Sequence, residues 1–114
     1  MSEFNPQPKF EYLRSEKHLN IVRSLECQMC GASPRSQAAH SNSLKFGKGR
    51  GIKSSDESVL GLCAECHSGY DQTKTKAAHE KTFLLLLGHQ SIRLKREGRL
   101  LPDVERLLIE RGVL

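Results

Sequence analysis

Two short cysteine pairs constrain this chain more than any other feature: Cys27-x2-Cys30 and Cys63-x2-Cys66, with 32 residues between them. A CxxC turn can present two sulfurs to one metal, and two such turns complete a tetrahedron. Four soft thiolates leave no coordination position open. A zinc ion held by Cys27, Cys30, Cys63 and Cys66 is therefore expected to stabilise the fold and not to catalyse. Four free or disulfide-linked cysteines are the plainer alternative, and the paired spacing weighs against it. Such a clamp ties the base of a β-hairpin to the start of a helix, and brings His40 towards His67.

The size and composition suit a clamp. The chain has 114 residues, of which 5% are aromatic and none is Trp. That predicts one domain with a modest, mostly aliphatic core, for which a metal staple compensates. The formal charge is +5, from 18 Lys and Arg against 13 Asp and Glu, a balance that favours polyanions. Four thiolates and one Zn2+ together carry a net negative charge, which lowers that excess, so the charge alone is weak support for nucleic acid. The chain shows no basic-then-apolar leader, and its longest apolar run, Phe83 to Leu87, is too short to span a bilayer. A soluble protein in a reducing compartment, with no membrane partner, is expected; there, paired cysteines more often hold metal than form disulfides.

Along the chain, residues 1–14 contain two prolines and read as a flexible arm, with the folded domain over 15–114. Ser15 opens a helix, SEKHLNIVRSL, that sets Leu19, Val22 and Leu25 on one face with Ile21 beside it. Residues 36–40, SQAAH, and 58–62, SVLGL, suit two short strands. Between them lies a loop rich in Gly, Ser and Lys. After Cys66 the pattern turns helical: a helix starting at His67 to Tyr70, then a longer stretch from Lys76 to Lys95 that Gly88 should weaken. Pro102 opens a last helix and Gly112 closes it, with Val104, Leu107, Leu108 and Arg111 at helical spacing. The expected class is α+β. The late helices, over 76–112, either pack on the metal-binding centre or form a homodimer contact.

His67 follows Cys66 directly, and Asp71 stands four residues later. On a helix these two share a face, where an imidazole and a carboxylate can hold a divalent cation that keeps positions open for water and phosphate. Taken alone, a capping or surface histidine beside an exposed aspartate explains them as well.

The wider order of motifs adds to this: CQMC, AAHSN, GKGRGIKSSD, then CAECH followed by SGYD. Over residues 15–72 it resembles the HNH, or ββα-metal, endonucleases, and among them the small phage and prophage YbcO-like nucleases. The resemblance implies a zinc-stapled ββα-metal core over 27–72 with flanking N- and C-terminal helices. It implies DNA as partner and phosphodiester hydrolysis as activity, with little sequence specificity, in phage DNA metabolism or recombination. It also implies the cytoplasm of a bacterial host if the chain is phage or prophage encoded. His40 matches the histidine that acts as general base, His67 the ligand of a catalytic divalent metal, and Asp71 a further ligand. Mg2+ or Mn2+ is the expected ion, with Zn2+ or Ni2+ as alternatives. A neutral histidine can take a proton from water near pH 7, and a divalent ion offsets the charge that builds on phosphate and leaving oxygen.

The chain departs from the family pattern in two places. Ala39 stands where many members carry a metal-binding Asp or His, which leaves His40 two roles, base or ligand. Ser58 stands where the middle Asn usually precedes the second CxxC. Asn42 or Asp56 can supply that polar role, and Asp56 is preferred because it leads into the second strand.

In the basic loop, Lys45, Lys48, Arg50 and Lys53 alternate with Gly47, Gly49 and Gly51, which permit close backbone approach to phosphate. A solvated loop is the competing explanation. His18, His79 and His89 fall on expected helices and read as surface or packing residues. Lys95, Arg96 and Arg99 extend the basic footprint or simply solvate a helix end. No Ser-His-Asp arrangement or Walker-type loop is present. Three functions follow in order of preference: a metal-dependent endonuclease, a zinc-ribbon DNA-binding or adaptor protein with a degenerate nuclease centre, and a zinc-stapled interaction module using the Leu-rich C-terminal helices.

Overall fold

A computed structural model of the chain describes residues 10–33, 36–71 and 76–114; the side chains of Asp71 and of residues 76–78 lie outside that description. Among the described residues the architecture is mixed: four α-helices and one two-stranded antiparallel sheet, with two short 3-10 turns.

Helix α1 spans Glu16–Arg23 and begins where the sequence places it, because the Ser15 hydroxyl accepts the His18 N–H at 3.2 Å and satisfies an otherwise unpaired helix donor. Glu16 in its first turn and Arg23 in its last complement the helix dipole. The buried face carries His18 and Val22, and Leu25 continues it into the first cysteine turn.

Strand β1 (Gln37–His40) pairs with β2 (Val59–Leu62) so that Gln37 faces Leu62 and His40 faces Val59. All four residues of β2 are buried, so its outer edge needs partners other than water. The side-chain amide of Gln90 provides them. It accepts from the Gly61 N–H at 2.8 Å and donates to the Val59 carbonyl at 3.0 Å, while the Gln28 N–H reaches the Gly61 carbonyl at 2.8 Å. Gly61 also lets α1 come close, since a Cβ there would sit 3.2 Å from the Val22 carbonyl oxygen.

Helix α2 (Ala64–Asp71) starts inside the second cysteine pair, three residues earlier than expected from the sequence. Helix α3 (Lys76–Arg96) is continuous through Gly88. Tertiary burial outweighs the glycine penalty there, because Phe83, Leu87, Gln90, Ser91 and Leu94 form one buried stripe on it. Helix α4 (Pro102–Glu110) has Pro at its first turn, buries Val104, Leu107 and Leu108, and is followed by Gly112 at φ +78°. Both late helices close on the hairpin: α3 along β2, and α4 against the 3-10 turn at Asp56–Ser58. Phe46, Leu60, Leu62, Tyr70, Phe83, Leu87, Val104 and Leu108 meet in the core between them. Among the described residues, no helix is long and apolar enough to cross a membrane.

The segment expected as a flexible arm has two parts. Residues 1–9 lie outside the described residues, whereas residues 10–14 form an extended strap. The Leu13 N–H donates to Ser55 Oγ at 2.7 Å, and the Leu13 carbonyl accepts the Asp56 N–H at 2.9 Å. Arg14 donates to the carbonyls of Ser54, at 2.6 Å, and Lys53, at 2.8 Å.

Candidate metal centre and adjoining polar site

The four cysteine sulfurs lie within 4.8 Å of one another. Backbone geometry brings them there. Gly31 at φ +80° lets the first turn close, with the Gly31 N–H on the Cys27 carbonyl at 2.9 Å and the Cys30 N–H on Cys27 Sγ at 3.4 Å. The second pair is held by the first turn of α2, where the His67 N–H bonds the Cys63 carbonyl at 2.8 Å. All four are free thiols, and Cys30 Sγ lies 3.7 Å from Cys63 Sγ. A tetrahedron with Zn–S bonds of about 2.3 Å has edges of about 3.8 Å. The spacing thus fits a structural zinc site and is far too long for a disulfide.

The electrostatics of the cluster fit as well. Burial opposes ionisation of Cys27, yet the backbone N–H groups of Cys30, Cys63 and Met29 bring its pKa down to about 6. The Cys66 thiol is pushed up by burial and by the neighbouring cysteines. Several thiolates cannot share this space without a cation, and a divalent metal would supply one.

Beyond the far end of the hairpin lies a second polar group. His40 Nε2 is 2.8 Å from Asp56 Oδ1, and Asp56 opens the turn that leads into β2. Asp56 is buried, and its carboxylate also takes Arg14 Nη1 at 3.2 Å and the Ser15 N–H at 2.8 Å. Burial alone would raise its pKa. Hydrogen bonds from His40 and the Ser15 N–H, with the charges of His40 and Arg14, outweigh that and hold it below the usual aspartate value. An ionised carboxylate only accepts hydrogen bonds. A neutral His40 therefore carries its proton on Nε2 and keeps its lone pair on Nδ1.

His67 lies along the same hairpin but engages a different residue: its Nδ1 is 2.8 Å from Gln37 Oε1. Asp71 is the last residue of α2, one helical turn beyond His67, with its side chain outside the described residues. Among the described residues, the four cysteines are the single group of three or more potential ligands whose donor atoms converge. His40, Asp56 and His67 do not assemble a second such centre. Asn42, the other candidate for the middle polar role, is exposed and gives its backbone N–H to Tyr70 Oη at 2.9 Å. Burial raises the Tyr70 pKa to about 12, so this phenol stays neutral.

The basic loop is a compact turn. Phe46 is fully buried and anchors it, and reciprocal bonds between Gly49 and Ile52, of 3.2 and 3.1 Å, close its tip. Lys45, Arg50 and Lys53 are exposed and Lys48 is half-buried. None of the four is paired with a carboxylate among the described residues. Of the other histidines, His18 is buried, His79 half-buried and His89 exposed.

Three residues of this region carry no motif: Arg14 and Ser15, which fix Asp56, and Gln37, which meets His67. The cap signal at Ser15 was visible in the sequence, but nothing in it ties Ser15 or Arg14 to a carboxylate some forty positions away. No protein-family model, curated protein or solved structure matches the chain.

Proposed function

We propose that the protein is a metal-dependent endonuclease of the HNH type that hydrolyses DNA phosphodiester bonds with little sequence preference, on a fold stapled by one zinc ion at Cys27, Cys30, Cys63 and Cys66. The observation that carries the proposal is the contact between His40 and a buried, ionised Asp56. A histidine fixed by a carboxylate through one nitrogen presents the other as a base, the arrangement a hydrolytic water requires. In this reading His40 Nδ1 takes the proton, Asp56 steadies the imidazolium that results, and Arg14 with the Ser15 N–H keeps Asp56 ionised and in place. Lys45, Lys48, Arg50 and Lys53 hold the phosphates on either side of the scissile bond. His67 and Asp71 are the residues assigned to the catalytic divalent ion, which would supply charge to offset that developing on the phosphate and departing oxygen. The phage setting and the bacterial cytoplasm come from the family resemblance alone.

The test is cleavage of supercoiled plasmid by the zinc-loaded protein with added Mg2+ or Mn2+, alongside His40→Ala and His67→Ala. The parent should nick the plasmid, His40→Ala should slow it by about 10^2–10^4-fold, and both should depend on the added ion. Equal cutting by parent and both variants, with contaminating nuclease excluded, would remove the assignment.

One observation favours a second reading. His40 and Asp56 bind each other and His67 binds Gln37, so the described donors form no preassembled catalytic metal centre. A zinc-stapled DNA-binding or adaptor protein would have this arrangement too, and would bind DNA in a salt-sensitive way without cutting it.

A further inference from the structure

Helix α3 buries one stripe, formed by Phe83, Leu87, Gln90, Ser91 and Leu94. Continued three residues towards the start of the helix, the same spacing reaches Glu80. A carboxylate thus stands where the periodicity asks for an apolar side chain. Glu80 is half-buried, and an acid so placed costs stability unless hydrogen bonds compensate it. Two hydroxyls do so. Ser41 Oγ donates to Glu80 Oε2 at 3.2 Å, and Tyr70 Oη donates to Glu80 Oε1 at 3.2 Å.

Ser41 and Tyr70 are both buried, and each hydroxyl also takes a backbone N–H from the chain that leaves β1. Ser41 Oγ accepts from Ser43 at 3.0 Å, and Tyr70 Oη accepts from Asn42 at 2.9 Å. Accepting there, each hydroxyl turns its own proton to the carboxylate, and the network closes. Packing alone does not call for it. The Tyr70 ring already stacks on Phe83, with centroids 4.8 Å apart and planes inclined by 29°, a contact that joins α2 to α3 whatever residue stands at position 80. What the acid adds is placement. Ser41 directly follows His40, and Tyr70 directly precedes Asp71 on the helix that also carries His67. A side chain that breaks its local pattern yet is satisfied by the neighbours of a polar site points to function.

We propose that Glu80 is a positioning residue for the hydrolysis: through Ser41 and Tyr70 it sets the end of β1, where His40 stands, against α2, which carries the residues assigned to the divalent ion. The role rests on the nuclease reading. A base and a metal ligand on separate elements act together only while those elements keep their spacing, and a displacement of about 1 Å is enough to lose much of the rate. Glu80 itself touches neither substrate nor ion in this account; it acts through the two hydroxyls.

The zinc-loaded full-length parent is compared with Glu80→Leu, Glu80→Gln and Tyr70→Phe by denaturant unfolding, by plasmid cleavage against Mn2+ and DNA concentration, and by Mn2+ binding read from electron paramagnetic resonance. Glu80→Leu continues the apolar stripe and should be at least as stable as the parent. Its cutting at saturating DNA should fall about ten- to hundredfold and its Mn2+ binding should weaken, while KM for DNA changes little. Glu80→Gln keeps an oxygen and a nitrogen that can bond the two hydroxyls, and should restore most of the lost activity. Tyr70→Phe keeps the stack on Phe83 and loses the bond, so it should share the defect and carries the test if the leucine variant folds poorly. Activity that only tracks stability, or full activity and Mn2+ binding in both Glu80→Leu and Tyr70→Phe, overturns the proposal and leaves the nuclease reading intact. A parent protein that cuts no DNA removes that reading and the positioning role with it.

Discussion

Asp56 and His40 meet at 2.8 Å from the two strands of one hairpin: His40 ends β1, and Asp56 opens the turn into β2 three residues before Val59, the residue His40 faces in the sheet. The pairing register thus sets the contact, and the strap holds it from outside through Arg14 and the Ser15 N–H.

Removing the charge of Asp56 should release the ring of His40. In Asp56→Asn the amide can donate or accept, so it no longer selects the proton on Nε2. Nitrogen chemical shifts of the His40 ring should show the Nε2-protonated form in the parent and a mixture in the variant. Plasmid cleavage should fall, but by less than in His40→Ala. An unchanged tautomer in Asp56→Asn would show that the carboxylate does not orient the ring.

Next to Asp56, Glu57 is fully buried and forms an ion pair with Arg111, which is itself 10% exposed and joins α4 to the hairpin. Truncating one partner leaves the other charge buried and unpaired, at a cost of about 3–5 kcal/mol. Glu57→Leu or Arg111→Met should each destabilise by about that much in denaturant unfolding. The double variant should recover most of the loss, because two apolar groups replace two buried charges. A double variant as unstable as the sum of the singles would mean that Arg111 acts through Phe10 and Glu11 and not through Glu57.

His18 introduces a separate dependence on pH. It is 99% buried by area, at 1% exposure, and neither ring nitrogen has a hydrogen-bond partner. Burial lowers its pKa from 6.5 to about 4, against a smaller opposing pull from Asp56. A folded pKa below the unfolded one means that the unfolded chain binds the proton more readily. Stability is then full above pH 6.5 and lost as the pH falls from 6.5 towards 4, by about 3 kcal/mol. The lowered pKa of Asp56 acts in the same direction at lower pH, below its ordinary value of 3.8. His18→Leu should be at least as stable as the parent at pH 7 and should lose much less between pH 6.5 and 4. Parallel curves for the two proteins would contradict this.

What the sequence disclosed and what it hid divide along physical lines. The cysteine spacing, the Ser15 cap, the Pro102 and Gly112 boundaries and the two short strands are local signals, and the structure places elements within a few residues of each. The burial of His18 was also within reach, because positions 18, 22 and 25 follow the same helical spacing as the apolar face. Gln90 at the β2 edge, Arg111 on Glu57 and the strap across Ser54 to Asp56 are different. Each is a polar side chain or backbone group recruited by a distant segment, and no periodicity encodes the partner. The acid that accompanies His40 was preferred in the sequence for its position before β2, whereas the strap that fixes it had no signature.

The proposal makes the arrangement of hairpin, α2 and the polar site depend on one ion joining the two cysteine turns, a group whose sulfurs lie close enough to hold one. X-ray absorption at the zinc edge, with metal content measured on the same sample, tests this most directly. One zinc per chain with four sulfur neighbours at about 2.3 Å, and loss of helical structure when a strong chelator removes it, is the predicted result. A chain that keeps its fold without metal, or a zinc surrounded mainly by nitrogen and oxygen, would contradict the account.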